Sequence, residues 1–324
     1  MSGSAEKALV IVFGSVNLDL SVQAPHTPAA GETVLGGALL MSGGGKGANQ
    51  AHAARRFGAD VMLFGAVGDD SLAGPALALL QTAGVDLRGV RRSAVGTTGA
   101  ALITLDAAGE NRIVVAPGAN DEACADDVPD AALARAGVLL LQLEVPPAQS
   151  MALARRARAQ GCRVMFNAAP LMAGQPLDLS SVHVAIVNQL ELDQLAAMQG
   201  VVAATPQARA ALLARSCGCA VLLTLGAHGA LLVGPDGQAL TERGYPVAVQ
   251  DTTGAGDTFA GVFAAASAAG ADSAHALRLA NAAAALSCTA RGAQPAQPTR
   301  AEIEAFLISH TTTAPTPTDD GDPA

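Results

Sequence analysis

The sequence predicts an α/β protein, a large, doubly covered, mostly parallel sheet with a smaller β-sheet standing off it as a lid. Three features carry that expectation. Short apolar runs recur with helical segments between them, the helical segments stop at glycines, and two stretches break the alternation. A chain of 324 residues with 50% hydrophobic composition can bury one large α/β domain, or one domain with a small appendage.

The apolar runs lie at 8–13, 61–64, 138–143, 164–166, 182–187 and 221–225. Short, continuously apolar runs suit strands buried on both faces, as in a parallel sheet covered by its crossover helices. Helices are expected at 47–57, 71–83 and 147–160, ending at Gly58, Gly84 and Gly161, because glycine adopts the left-handed C-terminal position without a Cβ clash. Beyond Asp257, the residues Phe259, Val262, Phe263 and Ala266 share one helical face. The Ala-rich stretches 260–271 and 279–286 read as buried helices, since Gly270, Asp272 and Arg278 interrupt them short of the ~18 residues of a membrane span.

The alternation breaks at 98–105 and 112–116, which flank Asp106, Ala107, Ala108 and Gly109 and read as a hairpin. Residues 17–41 also lack helical periodicity, and the two segments together suggest a small sheet over a site. No internal repeat or long linker divides the chain, so one domain over 8–310 is expected. Residues 1–7 are small and polar without the basic and apolar regions of a signal peptide, and 311–324 offer almost nothing to bury; both ends are expected to be disordered.

A formal net charge of −9 argues against a nucleic-acid partner, and any phosphate site must be local. The cysteines Cys124, Cys162, Cys217, Cys219 and Cys288 form no metal-binding spacing, and their odd count suits a reducing cytoplasm. With no membrane span expected, a soluble cytoplasmic protein is the reading.

Polar residues stand where the apolar runs end: Asn17, Asp19, Glu144, Asn167, Asn188 and Thr224. Any one alone reads as a cap or turn residue. Their repetition points to one rim, because ligands of open parallel sheets bind outside the C-terminal strand ends.

The densest segment is 251–258, Asp-Thr-Thr-Gly-Ala-Gly-Asp-Thr, directly before an apolar helix. Glycines 254 and 256 let an anion approach free backbone N–H groups at the positive end of the helix dipole. Asp257 repels such an anion, and general-base work on a hydroxyl would explain its place; a plain helix cap with a turn fits this segment equally well. The second segment, Ser42-Gly-Gly-Gly-Lys-Gly-Ala-Asn-Gln50, is not a Walker A loop: Leu40 stands where its first glycine belongs, and Gly47 where Ser or Thr binds magnesium. Gly43, Gly45 and Ala48 loosely match a dinucleotide fingerprint, but the strand that should precede them directly is missing.

Taken together, these motifs resemble the ribokinase-like family of carbohydrate kinases, which includes ribokinases, fructokinases and adenosine kinases. The resemblance covers about 9–306 and rests on Gly14-Ser-Val-Asn-Leu-Asp19, Gly31-Glu-Thr33, Gly44-Gly-Lys-Gly-Ala-Asn-Gln50, Asn188-x-x-Glu191, Thr224-Leu-Gly226, the 251–259 segment and Gly292-Ala-Gln-Pro295. It implies a lid built from 17–42 and 96–118, through which two chains pair as a homodimer. It also implies transfer of the ATP γ-phosphoryl group to the 5-hydroxyl of D-ribose. A kinase for another pentose, a ketohexose or a nucleoside is the alternative within that class, and a non-catalytic sugar-binding regulator the alternative outside it. Retention of Asp257 and both glycines speaks against the regulator.

The same resemblance assigns roles. Asn17, Asp19, Gly44, Gly45, Lys46, Asn49 and Glu144 would hold the sugar, mixing acceptors with donors as a polyol requires. Asn188, Thr224 and Gly226 would meet the ATP phosphates, with Gly229 and Asn281 near the adenosine. Glu191 would position Mg2+ through water. Gly254, Ala255 and Gly256 would form the anion hole and Asp257 the general base. An activating K+ is implied at Asp251, Thr253, Ser287, Ala290 and Gly292. Departures from the family pattern are Ala290 and Ala296, where Arg and Ser are common, and Asn167-Ala-Ala-Pro170, where Asn-Pro-Ala-Pro is common. His228 is expected to face solvent.

Overall fold

The computed structural model describes residues 8–107, 111–172 and 177–311. In chain order the strands are β1 (Leu9–Phe13), β2 (Asn17–Gln23), β3 (Leu39–Gly44), β4 (Asp60–Gly68), β5 (Asp86–Ser93), β6 (Gly99–Leu105), β7 (Asn111–Ala116), β8 (Val138–Leu141), β9 (Arg163–Asn167), β10 (Val184–Val187), β11 (Ala220–Thr224), β12 (Gly229–Val233) and β13 (Ala239–Arg243). The helices are α1 (Lys46–Phe57), α2 (Ala73–Ala83), α3 (Asp130–Leu133), α4 (Pro147–Ala159), α5 (Gln189–Met198), α6 (Pro206–Cys217), α7 (Ala255–Ala268), α8 (Ser273–Ser287) and α9 (Arg300–Thr311).

A nine-stranded sheet runs β13-β12-β11-β10-β9-β8-β1-β4-β5, and a separate four-stranded sheet runs β3-β2-β6-β7. The pairs from β5 across to β11 are parallel, while β12 and β13 return antiparallel at one edge. Each expected apolar run became a strand of the large sheet. The boundaries moved slightly: β8 stops at Leu141, so Glu144 projects from the loop beyond it. Helix α2 begins at Ala73 because Asp70 Oδ1 accepts hydrogen bonds from the Leu72 and Ala73 amides, at 3.0 and 3.1 Å.

Continuous apolarity makes sense once both faces are seen. On β1, Val10 and Val12 join the core under α1, α2, α7, α8 and α9, while Ile11 and Phe13 join the opposite core under α3 to α6. Between α1 and α7 the packing is unusually close, since a Cβ on Gly261 would fall 2.5 Å from the Gln50 carbonyl oxygen and 2.8 Å from Ala53 Cβ. That approach lets the start of α1 reach the start of α7. The glycine stops hold as well: Gly58, Gly84 and Gly161 all have positive φ just past α1, α2 and α4.

The smaller sheet is the expected lid, with β2 parallel to β6 and both outer pairs antiparallel. Strands β6 and β7 are paired as the hairpin reading requires, although Ala108 and Gly109 of its turn lie outside the described residues. Residues 1–7 and 312–324 also lie outside them, and helix α9 extends through Thr311. Among the described residues no helix is long and apolar enough to cross a membrane.

Candidate active site

Chain order and sheet order disagree most sharply at β1. From there the chain builds β4 and β5 on one side and later returns to β8 on the other, leaving a topological switch point between β1 and β8. The loops leaving these strands carry Ser15 and Glu144, and the Ser15 hydroxyl donates to Glu144 Oε2 at 2.5 Å. The same oxygen accepts the Lys46 amide at 2.8 Å, and the Gly47 amide donates to Ser15 Oγ at 3.3 Å. Orphan N–H groups at the start of α1 are therefore already satisfied by Glu144 and Ser15.

Gly45, the N-cap residue of α1, has φ 86°, and its missing Cβ would fall 2.9 Å from the Asn17 amide nitrogen. Gly44 is required for a different reason: a Cβ there would sit 2.2 Å from Asp19 Oδ1. The Asp19 carboxyl consequently lies flat over the β3 backbone, and burial, with Glu144 and Asp257 nearby, pushes its pKa up to about 6. Asn17 is buried beside it, its Oδ1 accepting from Asn120 Nδ2 at 2.7 Å.

Across the cleft, Asp257 sits in the first turn of α7. Its Oδ2 accepts from Asn49 Nδ2 and its Oδ1 from Gln50 Nε2, both at 3.0 Å. Gly254 caps the helix with φ 74° and packs so tightly on Ala293 that a Cβ would lie 2.7 Å from the alanine's own. Over Gly256, by contrast, a Cβ would meet no atom within 4 Å. The Ala255 amide folds back on the Thr252 carbonyl at 3.2 Å. The amides of Gly254, Gly256 and Asp257 have no hydrogen-bond partner among the described residues. Of the helix starts of α1 and α7, only that of α7 thus keeps open donors, the arrangement that can receive an anion.

Between them runs a cavity of ≈ 130 Å³ lined by Lys46, Asn167, Ala169, Ile186, Val187, Asn188, Glu191, Thr224, Gly254, Gly256 and Asp257. Asn188 and Glu191 form a capping box on α5: Asn188 Oδ1 accepts the Glu191 amide at 2.9 Å and Glu191 Oε2 the Asn188 amide at 2.8 Å. Burial raises the pKa of Glu191, and Asp257 adds to the rise. The ammonium of Lys46 is held more firmly protonated than usual, chiefly by Asp257, against opposing burial and with help from Glu144 and Glu191. Lys46 therefore stands among the carboxylates of Asp257, Glu144 and Glu191.

Not every expected residue reaches this cavity. Gly226 lies in an exposed turn after β11 with φ 57° and nothing over it. Gly229 is needed for packing, since a Cβ would strike the Glu242 carbonyl oxygen at 2.0 Å, and Asn281 Nδ2 is engaged by the Arg243 carbonyl at 2.6 Å. His228 is exposed, as expected.

Asp251 links two loops behind α7: Oδ1 accepts from the Thr253 amide and hydroxyl at 2.9 and 2.7 Å, and Oδ2 from the Gly292 amide at 2.8 Å. Although burial acts to raise its pKa, these bonds hold it below the usual carboxylate value. The Cys288 carbonyl accepts from Gln250 and Asp251, while Ser287 Oγ is turned to the Ala284 carbonyl.

Sequence reasoning assigned no role to Ser15, Gln50, Gln142 or Gln294. Each lay inside or beside a quoted motif or strand end, and being fully buried is the signal that only the fold supplies.

Residues 7–300 match the model of the pfkB family carbohydrate kinases. The ribokinase of Haemophilus influenzae is 36% identical over 301 residues, covering 91% of this chain and 97% of that protein. The Bacillus subtilis ribokinase is 36% identical over 305 residues, covering 92% and 99%. Among solved structures, Arabidopsis thaliana ribokinase complexed with ribose and ATP matches with a TM-score of 0.83 at 30% identity, covering 93% of this chain and 98% of that one.

Proposed function

Because the chain belongs to the pfkB family of carbohydrate kinases, phosphotransferases acting on a sugar hydroxyl, we propose that it transfers the γ-phosphoryl group of ATP to the 5-hydroxyl of D-ribose. The observation that carries this reading is Asp257, a carboxylate gripped by Asn49 and Gln50 and placed beside the open amides of an α-helix start. A carboxylate destabilises a resting anion there; it is useful when a hydroxyl must lose a proton as it attacks one.

In this reading the sugar lies under the lid against Asn17, Asp19, Asn49 and Glu144, with its attacking hydroxyl at Asp257. The lid covers the sugar and excludes water. ATP phosphates lie along Asn188 and Thr224, and the amides of Gly256 and Asp257 receive the charge of the transferring group. Lys46 stands between the two substrates and balances the carboxylates around it. Gly229 and Asn281 are left with backbone packing near the edge of the sheet, where the adenosine would rest.

The donor set also fits the expected cations. Glu191 is the lone carboxylate of α5 lining the cavity, which suits Mg2+ held through water and ATP oxygens and supplying charge neutralisation on the phosphates. The 251–253 and 288–292 loops are stitched together around the Asp251 carboxylate, a fit for K+ among backbone carbonyls of Thr253, Ser287, Ala290 and Gly292. Apolar side chains exposed on the lid, Leu39, Leu40, Met41, Leu102 and Val114, support pairing of two lids in a homodimer.

ADP release measured across pentoses, ketohexoses and nucleosides, with and without K+, tests the reading, with phosphorus NMR locating the phosphate on the product. Ribose is expected to give the highest kcat/KM and a 5-phosphate. Preference for a ketohexose or nucleoside would move the chain to the related kinases, and absence of ADP with every acceptor would leave a sugar-binding regulator.

A further inference from the structure

Behind Asp257 lies a chain of buried amides, and beyond the grip of Gln50 on the carboxylate its members have no place in the mechanism so far. Gln50 and Gln142 are both fully buried, and Asn167 nearly so. Gln50 Nε2 donates to Asp257 Oδ1 and to Asn167 Oδ1, each at 3.0 Å. Gln142 Nε2 donates to Gln50 Oε1 at 2.6 Å. Gln142 Oε1 has no partner and rests against Gly14, where a Cβ would stand 1.9 Å from it.

The orientation of these amides follows from the carboxylate. An ionised Asp257 only accepts, so Gln50 must present its NH2 group. Asn167 enforces the same choice, because its own Nδ2 is committed to the Ile186 carbonyl at 3.2 Å. Gln50 Oε1 then points away and demands a donor, which Gln142 supplies at the expense of leaving its own oxygen unpaired. A buried, unpaired carbonyl is destabilising, and an apolar side chain at position 142 would avoid it. Stability alone does not explain this arrangement.

We propose that Gln50, braced by Gln142, is a positioning residue that fixes the plane of the Asp257 carboxylate for proton abstraction. The proposal rests on Asp257 being the base. Misdirecting a reacting group by about 1 Å can cost 100-fold in rate, so an oriented base is worth a buried unpaired oxygen. Gln50 touches neither substrate in this scheme and acts only through the carboxylate.

The test is a double-mutant cycle in kcat for Gln50→Met and Asp257→Asn, with thermal melting of each variant. Gln50→Met should lower kcat about 10- to 100-fold with sugar KM within about 2-fold of wild type, and should cost nothing further in the Asp257→Asn background. An equal loss in both backgrounds, or a wild-type kcat, overturns the proposal. If Gln50→Met does not fold, Gln142→Leu is carried through the same cycle, with a smaller loss expected and the same absence of further loss beside Asp257→Asn. Near-normal turnover of Asp257→Asn alone would instead remove the base assignment.

Discussion

The Ser15 hydroxyl and the Glu144 carboxylate meet at 2.5 Å across the point where the sheet changes direction, tying the end of β1 to the loop after β8. Because the same carboxylate oxygen also caps α1 through the Lys46 amide, Glu144 has a structural task besides any contact with sugar. Its other oxygen has no partner among the described residues, and in the proposed scheme it faces the sugar.

Glu144→Ala should therefore show two effects together. Loss of the acceptor leaves the Ser15 hydroxyl and the Lys46 amide unpaired, destabilising the fold by about 1–3 kcal/mol in denaturant unfolding. Sugar KM should rise as well. Ser15→Ala keeps the Lys46 bond, so its stability loss should be smaller; equal stability of Glu144→Ala and wild type would remove the capping role.

Asp19 sets a pH dependence whose sign follows from its raised pKa, about 6 against an ordinary 3.8. Folding takes up a proton between these values, so this residue's contribution favours the fold below pH 3.8 and is lost as pH rises through about 6. Asp19→Asn should accordingly raise stability above that window, by on the order of 1–3 kcal/mol, and flatten the profile across it. Calorimetry should show weaker sugar binding in the same variant. A variant that binds sugar normally would take Asp19 out of the site.

Much of the fold was legible because a strand buried on both faces has to be apolar throughout, as β1, β8 and β10 are. The edges were not. Strand β5 reads Asp-Leu-Arg-Gly-Val-Arg-Arg-Ser, and β13 is largely exposed, so neither carries an apolar run. In the site, glycines and acids were legible because their local backbone or charge is unusual. The amides behind Asp257 were not, since Gln50 and Asp257 are 207 positions apart and a glutamine in a helical segment ordinarily reads as exposed. Local signals also gave no sign of the turn that takes up the Ala255 amide.

Asp257→Asn keeps shape and nearly all packing while removing the acceptor for a hydroxyl proton. Turnover should fall by about 100-fold or more, with sugar affinity largely kept. Steady-state kinetics and calorimetry on the same preparation check both halves. Asn49 and Gln50 donate to this side chain, so one amide will face another NH2 group, and a small loss of stability should accompany the kinetic one.

Two neighbouring glycines should respond oppositely to the same change. Gly254→Ala forces a left-handed φ of 74° on a residue with a Cβ and presses that Cβ to 2.7 Å from Ala293. The strain alone is about 1–2 kcal/mol, and contact with Ala293 adds to it, so unfolding should show a clear loss. Gly256→Ala meets nothing within 4 Å and lies in a helix, where alanine is favoured over glycine by roughly 0.5–1 kcal/mol. Its stability should hold or rise. The new methyl group, however, fills the space over the open amides that the transferring phosphoryl group needs, so kcat should drop and ATP KM should climb in a protein that melts no earlier. Unimpaired kinetics in Gly256→Ala would place the anion elsewhere than at the start of α7.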